Sequence, residues 1–374
     1  MTKGNPLIEV RNLQVDFNLF EGTVHALDGV DFDIQHGKSL GVIGESGCGK
    51  SVTAQSIMRI VPVPPGKIVG GEILLHLDPK HNNGKVLQAV PAGVLAGALA
   101  GAGNAVALPT PELIAAKLGT NTINVLDLGA MSVEMRSIRW KEIGMIFQEP
   151  MTSFSPLYTI GQQIIEGILL HLPGETKKSA RNRAIDVLGR VGIPQPKRLV
   201  DVYPHQLSGG MRQRAMIAMA ISCSPKLLIA DEPTTALDVT IEAQILELLK
   251  ELQAEFGMSM MYISHDLAVV GEMADEVIVM YLGRVMERAT TDELFAEPLH
   301  PYTQALWRSI PRIEADQERL VPISGTLPNP FVQQRGCPFF SRCEHRIPGL
   351  CDTQRPPLFE ITPTHQVSCF LYQK

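Results

Sequence analysis

A chain of 374 residues has room for two or three domains at about 150 residues each, and it can bury enough surface to be stable without disulfides. Its 33 Lys and Arg against 39 Asp and Glu give a formal charge of -6, so no overall positive field favours DNA or RNA. With 45% hydrophobic and 19% charged residues, a disordered or fibrous chain is excluded and a packed core is expected. Met1 to Phe17 carries Lys3, Glu9, Arg11 and Asp16 and has no apolar stretch of signal-peptide length, which predicts cytosolic residence. In that reducing setting six cysteines argue against structural disulfides, and the crowding of four of them into the last 38 residues points to a metal or cluster site.

In chain order, Ile8 to Phe17 and Val24 to Ile34 alternate apolar and polar around Glu21-Gly22, predicting two strands and a turn at an antiparallel edge. Ser39 to Ile43 reads as a buried strand running into a Gly-rich loop, then a helix to about Ile60 closed by Pro62, Pro64 and Pro65. Ile143 to Phe147 is another short strand, and Ile160 to His171 and Thr176 to Val191 have helical periodicity with caps. Strand Leu227 to Ala230, helix Ile241 to Phe256, strand Ser259 to Ile263 and helix Leu267 to Met273 then alternate as parallel-sheet crossover units do. Strands Glu276 to Tyr281 and Arg284 to Arg288 follow, and beyond Thr290 the chain turns Pro-rich, which places a domain boundary near residue 290.

Val86 to Pro111 holds no charged residue and is long enough to cross a bilayer. Its eight Ala and four Gly, with Gln88, Asn104, Pro91 and Pro109, make it only modestly hydrophobic, although Gly93, Gly97 and Gly101 have the spacing of packed membrane helices. It is read as an Ala/Gly-rich insertion rather than a span.

Gly44-Glu45-Ser46-Gly47-Cys48-Gly49-Lys50-Ser51 fits the phosphate-binding loop G-x-x-x-x-G-K-[ST], in its proper setting between a strand and a helix. Glycines let backbone N–H groups converge on phosphate oxygens at the positive end of a helix. Lys50 is expected to neutralise the β- and γ-phosphates and Ser51 to ligate Mg²⁺, with Val52 the last of the ATP-binding residues and Cys48 a small filler within the loop. Leu227 to Glu232 would deliver Asp231 to the metal and Glu232 to the attacking water as general base. Leu207-Ser208-Gly209-Gly210-Met211-Arg212-Gln213 opens a helix with a second anion-binding terminus, which one ATP in one chain does not need.

With these motifs the chain resembles the ATPase subunit of ATP-binding cassette (ABC) transporters, over nearly all of residues 7 to 290. The resemblance implies an α/β P-loop NTPase cassette. It would have a mixed, largely parallel sheet core, an antiparallel β subdomain, a helical subdomain at about 150–224 and a small Cys-rich extension at 291–374. It also implies that Ser208, Gly209, Gly210 and Gln213 close over ATP and Mg²⁺ held by the phosphate loop of a second, similar ATPase. Phe17 stands where that family stacks an aromatic on adenine. Gln148 matches its Mg²⁺- and water-sensing glutamine, Asp238 its inter-subunit loop, and His265 its γ-phosphate switch histidine. Taken singly, Phe17 would be core, Gln148 a turn residue and His265-Asp266 a helix cap; their order decides.

Tyr203-Pro204-His205-Gln206, Gln148 to Ser153 and His300-Pro301-Tyr302-Thr303 resemble the oligopeptide/dipeptide branch and the related nickel permease ATPases. That branch carries a four-cysteine extension, here Cys337, Cys343, Cys351 and Cys369. Four thiolates can hold Zn²⁺ or a [4Fe–4S] cluster, and the spacing lacks the C-x2-C pairs of structural zinc. The resemblance implies iron–sulfur, acting as a staple for a tail with little core, with electron transfer as the sharper alternative. Cys223 is expected in the core. The departure from the family is the insertion at about 76–122.

The expectation is an ATP-hydrolysing subunit on the cytoplasmic face of the membrane. It would work with a second ATPase, a paralogue or itself, with two permease subunits and with an extracytoplasmic substrate-binding protein, and not with nucleic acid. Peptide is the expected solute and nickel the next. The competing reading is a soluble ABC ATPase of DNA repair or translation, whose long coiled coils or second cassette this sequence lacks.

Overall fold

A computed structural model describes residues 6–77, 108–109, 111, 114, 121–149, 153–235, 237–309 and 323–373. Strand β1 (Pro6–Leu19) alternates buried and open positions, as its sequence does, and turns into β2 (Gly22–Gln35). β3 (Ser39–Ile43) is buried at all five residues and enters the Gly-rich loop, after which α1 (Lys50–Ile57) begins. α1 ends before Ile60 because Arg59 takes a left-handed conformation (φ 53) ahead of the prolines. β4 (Gly66–His76) had no clear strand pattern, since Gly66, Gly70 and Gly71 dilute its alternation. β5 (Thr122–Asn124) pairs antiparallel with its last residues, Leu74 to His76.

Helix α2 (Val133–Ile138) and strand β6 (Ile143–Ile146) lead into the helical stretch: α3 (Ile160–His171), α4 (Lys177–Arg190), the one-turn α5 (Pro196–Leu199) and α6 (Gly209–Ile221). Thr159 and Thr176 cap α3 and α4 through capping boxes with Gln162 and Ser179. β7 (Leu227–Asp231), α7 (Val239–Phe256), β8 (Ser259–Ile263), α8 (Leu267–Met273), β9 (Glu276–Tyr281) and β10 (Arg284–Thr290) follow the expected alternation. α9 (Thr291–Ala296) and α10 (Pro301–Arg308) stand where the sequence read only a Pro-rich tail. Pro301 starts α10 because a first-turn proline needs no N–H partner and has its φ preset. The two-residue strands β11 (Phe359–Glu360) and β12 (Gln366–Val367) close the chain.

Two compact units emerge. The first comprises Met1–Glu9, Asp33–Lys38 and Leu74–Met261. Within it β6 runs parallel to β7, from Ile143 opposite Leu227 to Ile146 opposite Ala230. Both strands are fully buried, as expected of strands covered on two faces. α3 packs on α4 and α6. Gly167 on α3 lets the Trp140 indole lie where a Cβ would be, 1.6 Å from its nearest ring atom. Trp140 also stacks on His171, one turn further along α3, with ring centroids 5.9 Å apart.

The second unit comprises Val10–Phe32, Ser39–Ile73 and Tyr262–Lys374. In it β1 lies between β2 and β4, β3 runs parallel to β9, and β10 continues antiparallel from β9. β12 then adds to β10, and β11 to β12, so the tail after residue 290 extends the sheet. Glu287 on β10 is fully buried and accepts from the Leu299 N–H (2.7 Å), the His300 N–H (2.9 Å) and His365 Nε2 (2.7 Å). Arg355 from the tail and Arg284 both pair with Asp28 on β2, each at 3.0 Å. Burial raises the Asp28 pKa, but the two guanidiniums outweigh it and hold the carboxyl below its usual range.

The insertion read at about 76–122 lies outside the described residues apart from its edges and a few positions near residue 110. Among the described residues no helix is long and apolar enough to cross a membrane.

Two outcomes follow for the helical stretch. Gly to Ala within a helix ordinarily stabilises by about 1 kcal/mol. At Gly167 the added methyl meets the Trp140 ring, so Gly167→Ala is expected to destabilise by about 1–3 kcal/mol in denaturant unfolding. His171 has its pKa lowered to about 4 by burial and by the charges of Arg136 and Lys141, and its Nδ1 is buried without a hydrogen-bond partner among the described residues. Between about 4 and the ordinary 6.5 the unfolded chain binds this proton and the folded chain does not, so stability falls as pH drops through that window. His171→Gln should lose this part of the pH slope, read as the difference between the two proteins' unfolding midpoints.

Candidate active site

The loop between β3 and α1 is shaped by contacts that only glycine tolerates. A Cβ on Gly44 (φ 151) would lie 2.2 Å from the Met280 carbonyl oxygen, and one on Gly49 (φ 105) 2.7 Å from Leu27 and 2.8 Å from the Ala26 carbonyl. Pressed against these backbones, the chain turns over Ser46 and Gly47, which are exposed, and enters α1 at Gly49. Lys50 is buried, and its Nζ donates to the carbonyls of Gly44 (2.7 Å) and Glu45 (3.2 Å), so the ammonium is folded back across the loop it belongs to. Ser51 and Val52 are half-buried on the first turn of α1. Cys48 is buried beside Gly44, and burial pushes its thiol pKa up, so it stays a neutral thiol. Phe17 is half-buried at the end of β1, its ring 3.1 Å from the place a Cβ on Gly66 would take. His265 is exposed at the end of β8, and Asp266 caps α8 by accepting from the Ala268 N–H at 2.8 Å.

In the other unit β7 delivers Asp231, 4% exposed, as its last residue. Glu232 follows in the left-handed conformation, φ 47, which a non-glycine residue adopts at a cost and which redirects its side chain away from the strand. Its carboxylate Oε2 accepts from Gln148 Nε2 at 3.0 Å and from Thr235 Oγ1 at 2.9 Å. Residues 84 apart in sequence are thereby joined at one carboxylate oxygen. Thr235 carried no motif of its own; only its place three residues after Glu232 could have marked it.

Ser208 caps α6, its hydroxyl accepting from the Met211 N–H at 3.3 Å, and Gly209 and Gly210 form the first turn. Among the described residues a Cβ on Gly209 would meet nothing within 4 Å, so their packing does not require glycine there. Gln213, 2% exposed, donates to the carbonyl of Pro233, the residue after Glu232. Asp238 is exposed and caps α7, accepting from the Ile241 N–H at 3.0 Å.

Cys337, Cys343, Cys351 and Cys369 line one small cavity together with His300 and His345. All are free thiols. The Cys337 N–H donates to the Cys351 carbonyl at 2.7 Å, which fixes two of the four across the cavity. Burial, with repulsion from the neighbouring thiols, pushes Cys337 up to about 12 and Cys369 up to about 11, and Cys343 is raised as well. Among the described residues no group of three or more His, Cys, Asp or Glu forms a metal-holding cluster. The four cysteines share a cavity lining, and nothing further among the described residues bears on the iron–sulfur expectation. Cys223 is buried in the helical stretch, as expected.

Residues 27–94 and 112–235 match the ABC transporter family, and residues 286–351 match the C-terminal region of the oligopeptide/dipeptide transporter family. The chain is 43% identical over 370 residues to a probable peptide ABC transporter ATP-binding protein of Sinorhizobium fredii, covering 98% of this chain and 96% of that one. It is 42% identical to the oligopeptide transport ATP-binding protein OppD of Bacillus subtilis, covering 99% and 90%. It is 40% identical to the dipeptide transport ATP-binding protein DppD of Escherichia coli, covering 97% and 96%. The fold is similar to that of the dimeric ATP-binding cassette MJ0796 bound to ADP and Pi, with a TM-score of 0.57 at 24% identity over 76% of this chain and 98% of that one. A phosphate loop, a carboxylate pair at the end of a buried strand and a Ser-Gly-Gly helix start, set in these matches, identify the chain as an ABC-type ATPase of the oligopeptide/dipeptide transporter ATP-binding family.

Proposed function

We propose that this ATPase drives a peptide importer, binding ATP and Mg²⁺ at Gly44 to Ser51 and hydrolysing ATP with Glu232 as general base. The observation that carries this reading is the hydrogen bond from Gln148 to Glu232, which together with the bond from Thr235 fixes the carboxylate in place just after the buried strand that carries Asp231. Lys50, released from the Gly44 and Glu45 carbonyls, would bind the β- and γ-phosphates, and Phe17 would pack on the base. Ser51, Asp231 and Gln148 are hard oxygen donors of the kind Mg²⁺ prefers, and the ion supplies neutralisation of phosphate charge when bound. His265, exposed beside a helix cap, is the switch residue at the γ-phosphate.

The Ser208 to Gly210 turn serves the triphosphate of a second ATPase subunit, with Gln213 tying that turn to the residue after Glu232 and Asp238 at the subunit junction. Support comes from Gly209, whose lack of a side chain no packing among the described residues explains and which leaves room for an anion at the helix start. The second subunit is a paralogue. Two permease subunits and an extracytoplasmic binding protein complete the assembly, with this chain at the cytoplasmic face and residues 148–171 as its coupling region. The peptide as solute is supported by the names of the S. fredii, B. subtilis and E. coli relatives.

The segment 291–374 is an extension in which Cys337, Cys343, Cys351 and Cys369 hold a [4Fe–4S] cluster. Their lining of a single cavity without a disulfide fits such a donor set, and binding would displace the thiol protons that burial retains. When bound, the cluster supplies folding energy to the tail.

Glu232→Gln is expected to lower kcat by about 100-fold or more while leaving ATP affinity within about threefold, and to accumulate an ATP-bound dimer in gel filtration. Turnover at the wild-type rate would remove Glu232 from its role. Purified without oxygen, the full chain should carry about four irons with acid-labile sulfide and a visible absorbance lost in Cys343→Ser. Zinc in place of iron would reassign the site, and neither metal would empty it.

A further inference from the structure

The residue that follows Gly44 is a carboxylate, in a loop whose task is to receive a polyanion. Glu45 is not left to face that polyanion. Arg342, 297 residues later and beside Cys343 in the extension, donates from Nη1 to Glu45 Oε2 at 2.6 Å and from Nη2 to Oε1 at 3.0 Å. This is a two-pronged pair that occupies both carboxylate oxygens. The guanidinium side chain is 4% exposed, against 24% for Glu45. Its remaining N–H groups reach the Ser324 carbonyl from Nε (3.0 Å), the Tyr281 hydroxyl from Nη1 (3.2 Å) and the Ile323 carbonyl from Nη2 (3.4 Å). All five of its donors are therefore engaged, which is the condition for a buried guanidinium to be tolerated. Tyr281 and Phe339 flank it, with its carbon 5.8 and 5.9 Å from their ring centroids. The Glu45 N–H is held as well, donating to the Tyr302 hydroxyl at 2.8 Å, and Tyr302 belongs to α10. Both ends of Glu45 are thus gripped from beyond residue 290.

We propose that Arg342 is a positioning residue of the ATPase site, neutralising Glu45 and holding its carboxylate off the triphosphate seat of the phosphate loop. The inference rests on Gly44 to Ser51 being that seat. A simple staple between tail and cassette would make Arg342 and Glu45 equally useful to the fold. A charge-neutralising role makes them opposite in sign toward ATP: loss of the cation leaves an uncompensated negative charge beside the phosphates, whereas loss of the anion leaves a free positive one.

The test is equilibrium binding of the non-hydrolysed analogue AMP-PNP, with Mg²⁺, to the full-length chain. Arg342→Ala is expected to weaken binding by about tenfold, Glu45→Gln to tighten it by about two- to threefold, and the double variant to return to within about twofold of wild type. The ATPase assay should show the same loss in Arg342→Ala as a raised KM with kcat within about threefold. Arg342→Lys, a point charge without the fork, should fall between wild type and Arg342→Ala. Binding by Arg342→Ala within twofold of wild type would overturn the proposal, as would a double variant as weak as Arg342→Ala. Should Arg342→Ala not fold, Glu45→Gln decides: tighter binding supports the proposal and weaker binding overturns it. A wild-type chain that fails to bind AMP-PNP, with Lys50→Ala no different, would strike down the ATPase assignment itself.

Discussion

The Met280 carbonyl oxygen lies 2.2 Å from where a side chain at Gly44 would begin, and this crowding governs how the nucleotide loop is built. The backbone of β9 and the backbone of the loop touch with nothing between them, and at Gly49 Leu27 and the Ala26 carbonyl press in to 2.7 and 2.8 Å. A loop confined in this way has few shapes open to it, so its N–H groups are directed before any ligand arrives, and less ordering entropy is lost on binding. Lys50 shows the same economy, resting on carbonyls of its own loop rather than in solvent.

The carboxylate side of the site is organised by strain and hydrogen bonding together. Glu232 leaves a regular buried strand through a left-handed turn, and Gln148 and Thr235 then fix one of its oxygens. Gln213 extends this arrangement by bonding to the next carbonyl, so the Ser-Gly-Gly helix and the catalytic turn share a contiguous hydrogen-bonded path within one unit. A shift of α6 would be felt at the backbone that carries Glu232.

Much of this was legible in the sequence, because the elements that build the site obey short-range rules. β3, β8, β9, α3 and α8 have the bounds their periodicity predicts, and the phosphate loop announces itself by glycine spacing. What escaped obeys long-range rules. β4 is a strand because β5 and β1 pair with it, not because its three glycines favour one. α9 and α10 lie in a stretch whose prolines suggested a loop, yet Pro301 occupies the one helical position that suits it. Arg342 had no visible role, since a lone arginine among cysteines gives no periodic or motif signal for a partner 297 residues away.

Glu287 holds a further lesson about the tail. Its buried carboxylate is satisfied by two N–H groups at the start of α10 and by His365, a residue only nine short of the last. A gene ending at codon 290 would encode a sheet whose new edge strand, β10, carries a carboxylate stripped of all three of these partners. Cassette and tail are thereby locked into joint inheritance: neither can be shed, swapped or spliced away unless position 287 changes first.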